Sequence, residues 1–224
     1  MPRPAQSGIA RFLQAAVEHG LKTAYETVKV GPREFLVELR VEHQLDVATY
    51  DDLFSIPVES LDHVAEHIIR SGMKMAAASG AGFGVGGAAT LVPDLGALGI
   101  ITVRTLQKLS LVYGFKFVTD EELAEFWIAV ATAAGVNITR EQLEKQVVGR
   151  VVPRLIRRVA AKASSEIAQK WSARVLPVIS SVVGATLNSW FVRAWGRRAK
   201  RYFRDKHMCV REQRQVAARL ATKH

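Results

Sequence analysis

Residues 79–115 read SGAGFGVGGAATLVPDLGALGIITVRTLQKLSLVYGF, and between Ala76 and Arg104 the only charged side chain is Asp94. Gly80 and Gly84 stand four residues apart, as do Gly82 and Gly86, with Gly87 following. On a helix that spacing leaves a face without side chains, against which a second backbone packs closely. Each glycine costs about 1 kcal/mol of helix propensity relative to alanine, so such a helix forms only where packing offsets the loss. Val92-Pro93-Asp94 then marks a break and a new start. Pro93 suits a first helical turn, and the Asp94 carboxylate meets the positive end of the helix dipole. Tyr113-Gly114 closes this second helix, because glycine takes the left-handed conformation of a helix stop without penalty.

A second uncharged run, Val175 to Val192, lies between Arg174 and Arg193. Its 18 residues would just cross a hydrocarbon core at about 1.5 Å per residue, but its polar content argues against a simple span. Ser180, Gly184 and Asn188 recur at i+4 beside Ser181, Ala185 and Ser189. This small-residue stripe complements the glycine face, and the two runs are expected to pack together at the centre of the fold.

The rest of the chain reads as helix. Residues 7–29 carry Ile9, Phe12, Leu13, Ala16, Val17, Leu21, Ala24 and Tyr25 at helical spacing until Gly31-Pro32. Shorter pieces are expected at 33–44 and 48–54, and a long helix from Val58, after Ile56-Pro57 breaks the pattern. Thr119-x-x-Glu122 and Thr139-x-x-Gln142 have the form of capping boxes, opening helices near 120–134 and 140–150. Beyond Pro153, Ile156, Val159, Ala160, Ala163, Ile167 and Trp171 line one side, with Arg150, Arg154, Arg157, Arg158 and Lys162 on the other. Strand alternation is absent, so the fold class is all-α, a single-domain helical bundle with two Gly/Ala-rich apolar helices at its centre.

Charge is divided unevenly. Residues 1–148 hold 13 Lys/Arg against 18 Asp/Glu, net −5, and residues 149–224 hold 18 against 3, net +15. Such asymmetry suits contact with an anionic surface. Between Arg193 and Lys206, the cations Arg193, Arg197, Lys200 and Arg204 fall within about 60° on a helical wheel. Trp195, Ala199, Tyr202 and Phe203 occupy the far side. That is the arrangement of a helix lying at a membrane interface, or of a core-packed helix with a basic outer face.

Two blocks resemble the EcsC protein family, a mainly bacterial group of about this length. The first comprises Gly80, Gly84, Gly86, Gly87, Leu91-Val92-Pro93-Asp94-Leu95 and Tyr113-Gly114; the second comprises Leu176-Pro177-Val178, Gly184, Asn188 and the basic tail to Arg204. The resemblance implies an α-helical protein, named for an open reading frame accompanying an ABC transporter operon, with no established catalytic residues. It divides the chain into a helical region at 1–60, an EcsC-like domain at 61–206 and a basic tail at 207–224.

No nucleophile, paired carboxylates, cofactor motif or metal set stands out, so the chain is read as non-enzymatic, without cofactors. His63 and His67 share a helix face with Glu59, Asp62 and Glu66 nearby, but DHVAEH lacks a third ligand. GAGFGVGG follows no strand and lacks the Gly-Lys-Ser/Thr of a phosphate loop. The expected partner is an anionic membrane surface, with a transporter or other membrane protein as a further one. A homodimer through the glycine face is an alternative, as is nucleic acid with Trp195, Tyr202 and Phe203 stacking on bases. The lone Cys209 and the absence of a signal-peptide pattern suggest a cytoplasmic protein, peripheral at the inner face of the cytoplasmic membrane.

Overall fold

A computed structural model describes residues 4–27, 30–83, 91–136, 148–172 and 181–221. Among these the regular structure is entirely helical: α1 (Pro4–Thr27), α2 (Pro32–Val41), a 3-10 turn (Asp52–Ser55), α3 (Val58–Phe83), α4 (Leu91–Val112), α5 (Asp120–Ala133), α6 (Val148–Ser172) and α7 (Ser181–Ala221). The all-α expectation therefore holds.

Local chemistry sets several boundaries. Thr119 Oγ1 accepts the Glu122 N–H at 3.2 Å while Glu122 Oε2 accepts the Thr119 N–H, so the expected capping box opens α5. Thr139 and Gln142 lie outside the described residues. At the end of α4, Gly114 has φ +89°, and the Phe115 and Gly114 N–H groups donate to the carbonyls of Ser110 and Leu111. These two bonds form the Schellman stop that Gly114 makes accessible.

Other expectations are corrected. Helix at 48–54 shrinks to the 3-10 turn, because Asp52 Oδ2 accepts the N–H groups of Ala48 and Thr49 at 2.8 and 2.7 Å and so holds those residues out of a helix. Pro153 does not restart a helix: α6 is already helical at Val148, with Pro153 exposed on its outer side. The small-residue stripe and the basic segment are one helix, since α7 runs unbroken from Ser181 to Ala221. It passes residue 206 without interruption, and His207 is fully buried.

The core is built by pairing. α1 lies on α4 and α6, α5 lies on α6 and α7, and α3 packs against both α4 and α7. The α3–α7 pair is antiparallel: Gly80 meets Gly184, Ile69 meets Gly196, Glu66 meets Lys200 and Asp62 meets Arg204. A Cβ added to Gly80 would lie 2.6 Å from both the carbonyl carbon and the oxygen of Gly184, so the helices cross in backbone contact. The expected pairing of the two small-residue stripes is thus seen at Gly80, Gly184 and Asn188. Gly84, Gly86, Gly87 and Pro177 lie outside the described residues. Leu95–Val112 of α4 is long and apolar enough to cross a membrane, but 67% of it is buried among the other helices.

Candidate functional site

The basic segment of α7 is sorted by its neighbours into inward and outward cations. Two elements hold it from opposite sides. On the α3 side, Arg204 Nε donates to Asp62 Oδ2 at 2.9 Å and Lys200 Nζ donates to Glu66 Oε1 at 3.0 Å, with the Asp62 backbone carbonyl at 3.3 Å. Asp62 Oδ1 also accepts the Tyr113 hydroxyl at 2.6 Å. Burial, then the Asp62 hydrogen bond, drives the Tyr113 hydroxyl well above its ordinary pKa, so it remains a donor. The Asp62 bond and pairing hold the Arg204 guanidinium even more firmly protonated.

On the α6 side, Arg198 grips Glu166 through two nitrogens, each at 3.0 Å, and Trp195 Nε1 donates to the same carboxylate at 3.2 Å. Further along, Lys206 reaches Glu125 at 2.7 Å and lies over the Phe115 ring. Arg214 pairs with Asp51 at 2.8 Å and covers Phe54, its guanidinium carbon 4.0 Å from the ring centre.

Of the four cations read from the sequence as one anion-facing stripe, Arg193 and Arg197 are exposed. Lys200 and Arg204 instead answer the carboxylates of α3. Arg201, outside that stripe, is exposed too, and with Arg193 and Arg197 forms an outward i,i+4 row about 12 Å long. No ion pair engages these three among the described residues. No Asp or Glu occurs between Glu166 and Asp205. Arg154, Arg157, Arg158 and Lys162 make the exposed side of α6, as its periodicity indicates.

The aromatic half of the interfacial-helix reading is overturned. Trp195 and Phe203 are 1% and 2% exposed, Trp195 stacks on Phe191 at 4.8 Å, and Tyr202 is half-buried with its hydroxyl pKa raised by burial. Trp195 and Phe203 are core: Trp195 donates to Glu166 of α6, and Phe203 stacks on Phe115 beyond the end of α4.

The sequence profile of the EcsC protein family matches residues 3–208. The chain belongs to the EcsC family. Its matched range takes in the N-terminal 60 residues as well as both motif blocks. No curated protein and no solved structure matches the chain. In this EcsC-family fold the motif residues that can be placed are structural. Gly80, Gly184 and the buried Asn188 form the α3–α7 crossing, and Tyr113-Gly114 ends α4. Pro93 and Asp94 lie near the start of α4, their side chains outside the described set.

Among the described residues, the helical pair His63 and His67 is not grouped with a third ligand. Both imidazoles are exposed, and Asp62 and Glu66 are held by α7. Roles that the sequence reading passed over, those of Glu166 and the Tyr113 carbonyl as partners of α7 and of His207 beneath Phe54, come from contacts 29 to 153 positions apart. The one local hint was that Glu166 is the only acid in an otherwise basic stretch.

Proposed function

We propose that this EcsC-family chain is a non-enzymatic, membrane-associated helical protein. It attaches to the anionic inner face of the cytoplasmic membrane through outward arginines and serves an envelope or transport process as an accessory. The observation that carries the reading is the outward row of Arg193, Arg197 and Arg201, left over after α3, α5 and α6 have engaged Lys200, Arg204, Lys206 and Arg198. A cation engaged within the fold has little left to offer a phosphate, whereas an exposed guanidinium offers a planar fork of donors. With the aromatic rings in the core, attachment rests on charge rather than ring insertion. Each basic residue near an anionic surface contributes about 1 kcal/mol, so the row supplies about 3 kcal/mol, roughly 150-fold in partition. The exposed cations of α6 add to the same field.

Co-sedimentation of the purified protein with phosphatidylserine/phosphatidylcholine vesicles tests this. The triple variant Arg193→Glu, Arg197→Glu, Arg201→Glu is expected to partition at least tenfold more weakly, and added salt should release the wild type. Unchanged partition of the triple variant would refute the attachment surface. Binding to duplex DNA but not to vesicles would replace the membrane with nucleic acid as the partner.

A further inference from the structure

Away from the basic face, α2, α3 and α4 line an open cleft of about 270 Å³. Glu38, Glu42, His67, Arg104, Thr105 and Lys108 contribute to its lining. Two of these, Glu38 and Glu42, meet a third potential ligand, His43, which lies beside the cleft and not in its lining. Glu38 and Glu42 lie four residues apart at the end of α2, so their carboxylates point the same way. His43 follows directly, where the chain leaves the helix and Gln44 takes a left-handed φ of 53°. One ligand atom from each of Glu38, Glu42 and His43 lies within 4.8 Å of the other two.

We propose that Glu38, Glu42 and His43 bind a divalent transition-metal ion, with Zn²⁺ the best-suited probe, leaving a coordination position open toward the cleft. Metal–ligand bonds of about 2.0–2.2 Å require tetrahedral donors about 3.5 Å apart, a closure within the reach of small glutamate rotations. The donor set, one imidazole and two carboxylates, matches the ligand chemistry of open zinc sites.

One observation beyond the clustering points to a ligand. His43 Nε2 is fully buried and has no hydrogen-bond partner among the described residues, a state that costs about 1–3 kcal/mol for a polar atom. The Glu38 carboxylate already holds a cation, with Lys108 Nζ at 2.6 and 2.8 Å from its two oxygens. A metal ion would share or displace that ammonium. The His67 ring stands edge-on to His43 at 5.3 Å between centres.

Equilibrium dialysis of the tag-free, chelator-treated chain against Zn²⁺ alone tests the site. One equivalent is expected to bind, with affinity at least tenfold weaker in Glu42→Gln and in His43→Asn and unchanged in His63→Asn. Glu42 is exposed, so Glu42→Gln should fold as the wild type does, which circular dichroism would verify. Absence of one-equivalent binding would overturn the proposal. So would binding that survives both Glu42→Gln and His43→Asn, or binding that His63→Asn abolishes.

Discussion

Replacing Gly80 with alanine should weaken the fold, although alanine is the better helix former. The new methyl would stand 2.6 Å from the Gly184 carbonyl and 2.8 Å from Asn188 Nδ2, distances that real Cβ atoms do not reach. Because the first obstacle is backbone, α3 and α7 must part by about 1 Å, a gap at which dispersion contacts lose up to half their depth. Overpacking of this kind costs about 1–3 kcal/mol, and the gain in helix propensity returns about 1 kcal/mol. With the Gly184 backbone unable to yield, the net is a loss of up to about 2 kcal/mol. Gly96 supplies the control: a Cβ there meets nothing within 4 Å, so Gly96→Ala should stabilise by up to about 1 kcal/mol through propensity alone. Urea unfolding followed by circular dichroism reads both, with an unchanged m-value confirming that stability rather than compactness has moved. The double variant Gly80→Ala, Gly184→Ala should lose less than the sum of its singles, because helices already parted accept the second methyl. If Gly80→Ala and Gly96→Ala shift the midpoint in the same direction, the backbone crossing is not what holds α3 to α7.

Asp62→Asn keeps the shape of the side chain and removes the charge that Arg204 and Lys200 answer. A loss of about 1–2 kcal/mol is expected, at the low end for charge-assisted bonds because the carboxylate is 24% exposed. An unchanged melting temperature would mean that solvent screens the pair. His207 gives a pH signature. Its Nδ1 lies 3.0 Å from the Tyr113 carbonyl oxygen, it stacks on Phe54, and its Nε2 is buried without a partner among the described residues. Burial is the main cause that lowers its pKa, with Arg211 and Arg214 pulling the same way and the Tyr113 carbonyl and Asp62 opposing. The unfolded chain therefore takes up a proton first, near pH 6.5, and the contribution from a neutral His207, full above that pH, falls as pH drops toward the folded-state pKa. Stability measured from pH 8 to pH 5 should decline below about 6.5 in the wild type and decline less in His207→Gln. Equal slopes would remove His207 as the cause.

The chain's own letters determined its helical nature, the capping box at Thr119, the stop at Gly114, the meeting of the two small-residue stripes and the EcsC relationship. These are local or periodic signals: a cap needs residues three apart, and a glycine face needs repeats of four. Even the close approach of Gly80 to Gly184 followed from the complementarity of two such repeats. Only tertiary structure decided which cations of α7 face outward. Arg193, Arg197, Lys200 and Arg204 share one side of a helical wheel, yet Lys200 and Arg204 are claimed by Asp62 and Glu66, more than 130 residues away in sequence. A wheel records angle along one helix and nothing of what the neighbouring helix presents. The same reason hid the burial of Trp195 and Phe203, the opposition of His43 to His67 and the grip of Glu166 on Arg198. Each depends on the register of antiparallel or crossing helices, which packing sets and which no single segment encodes.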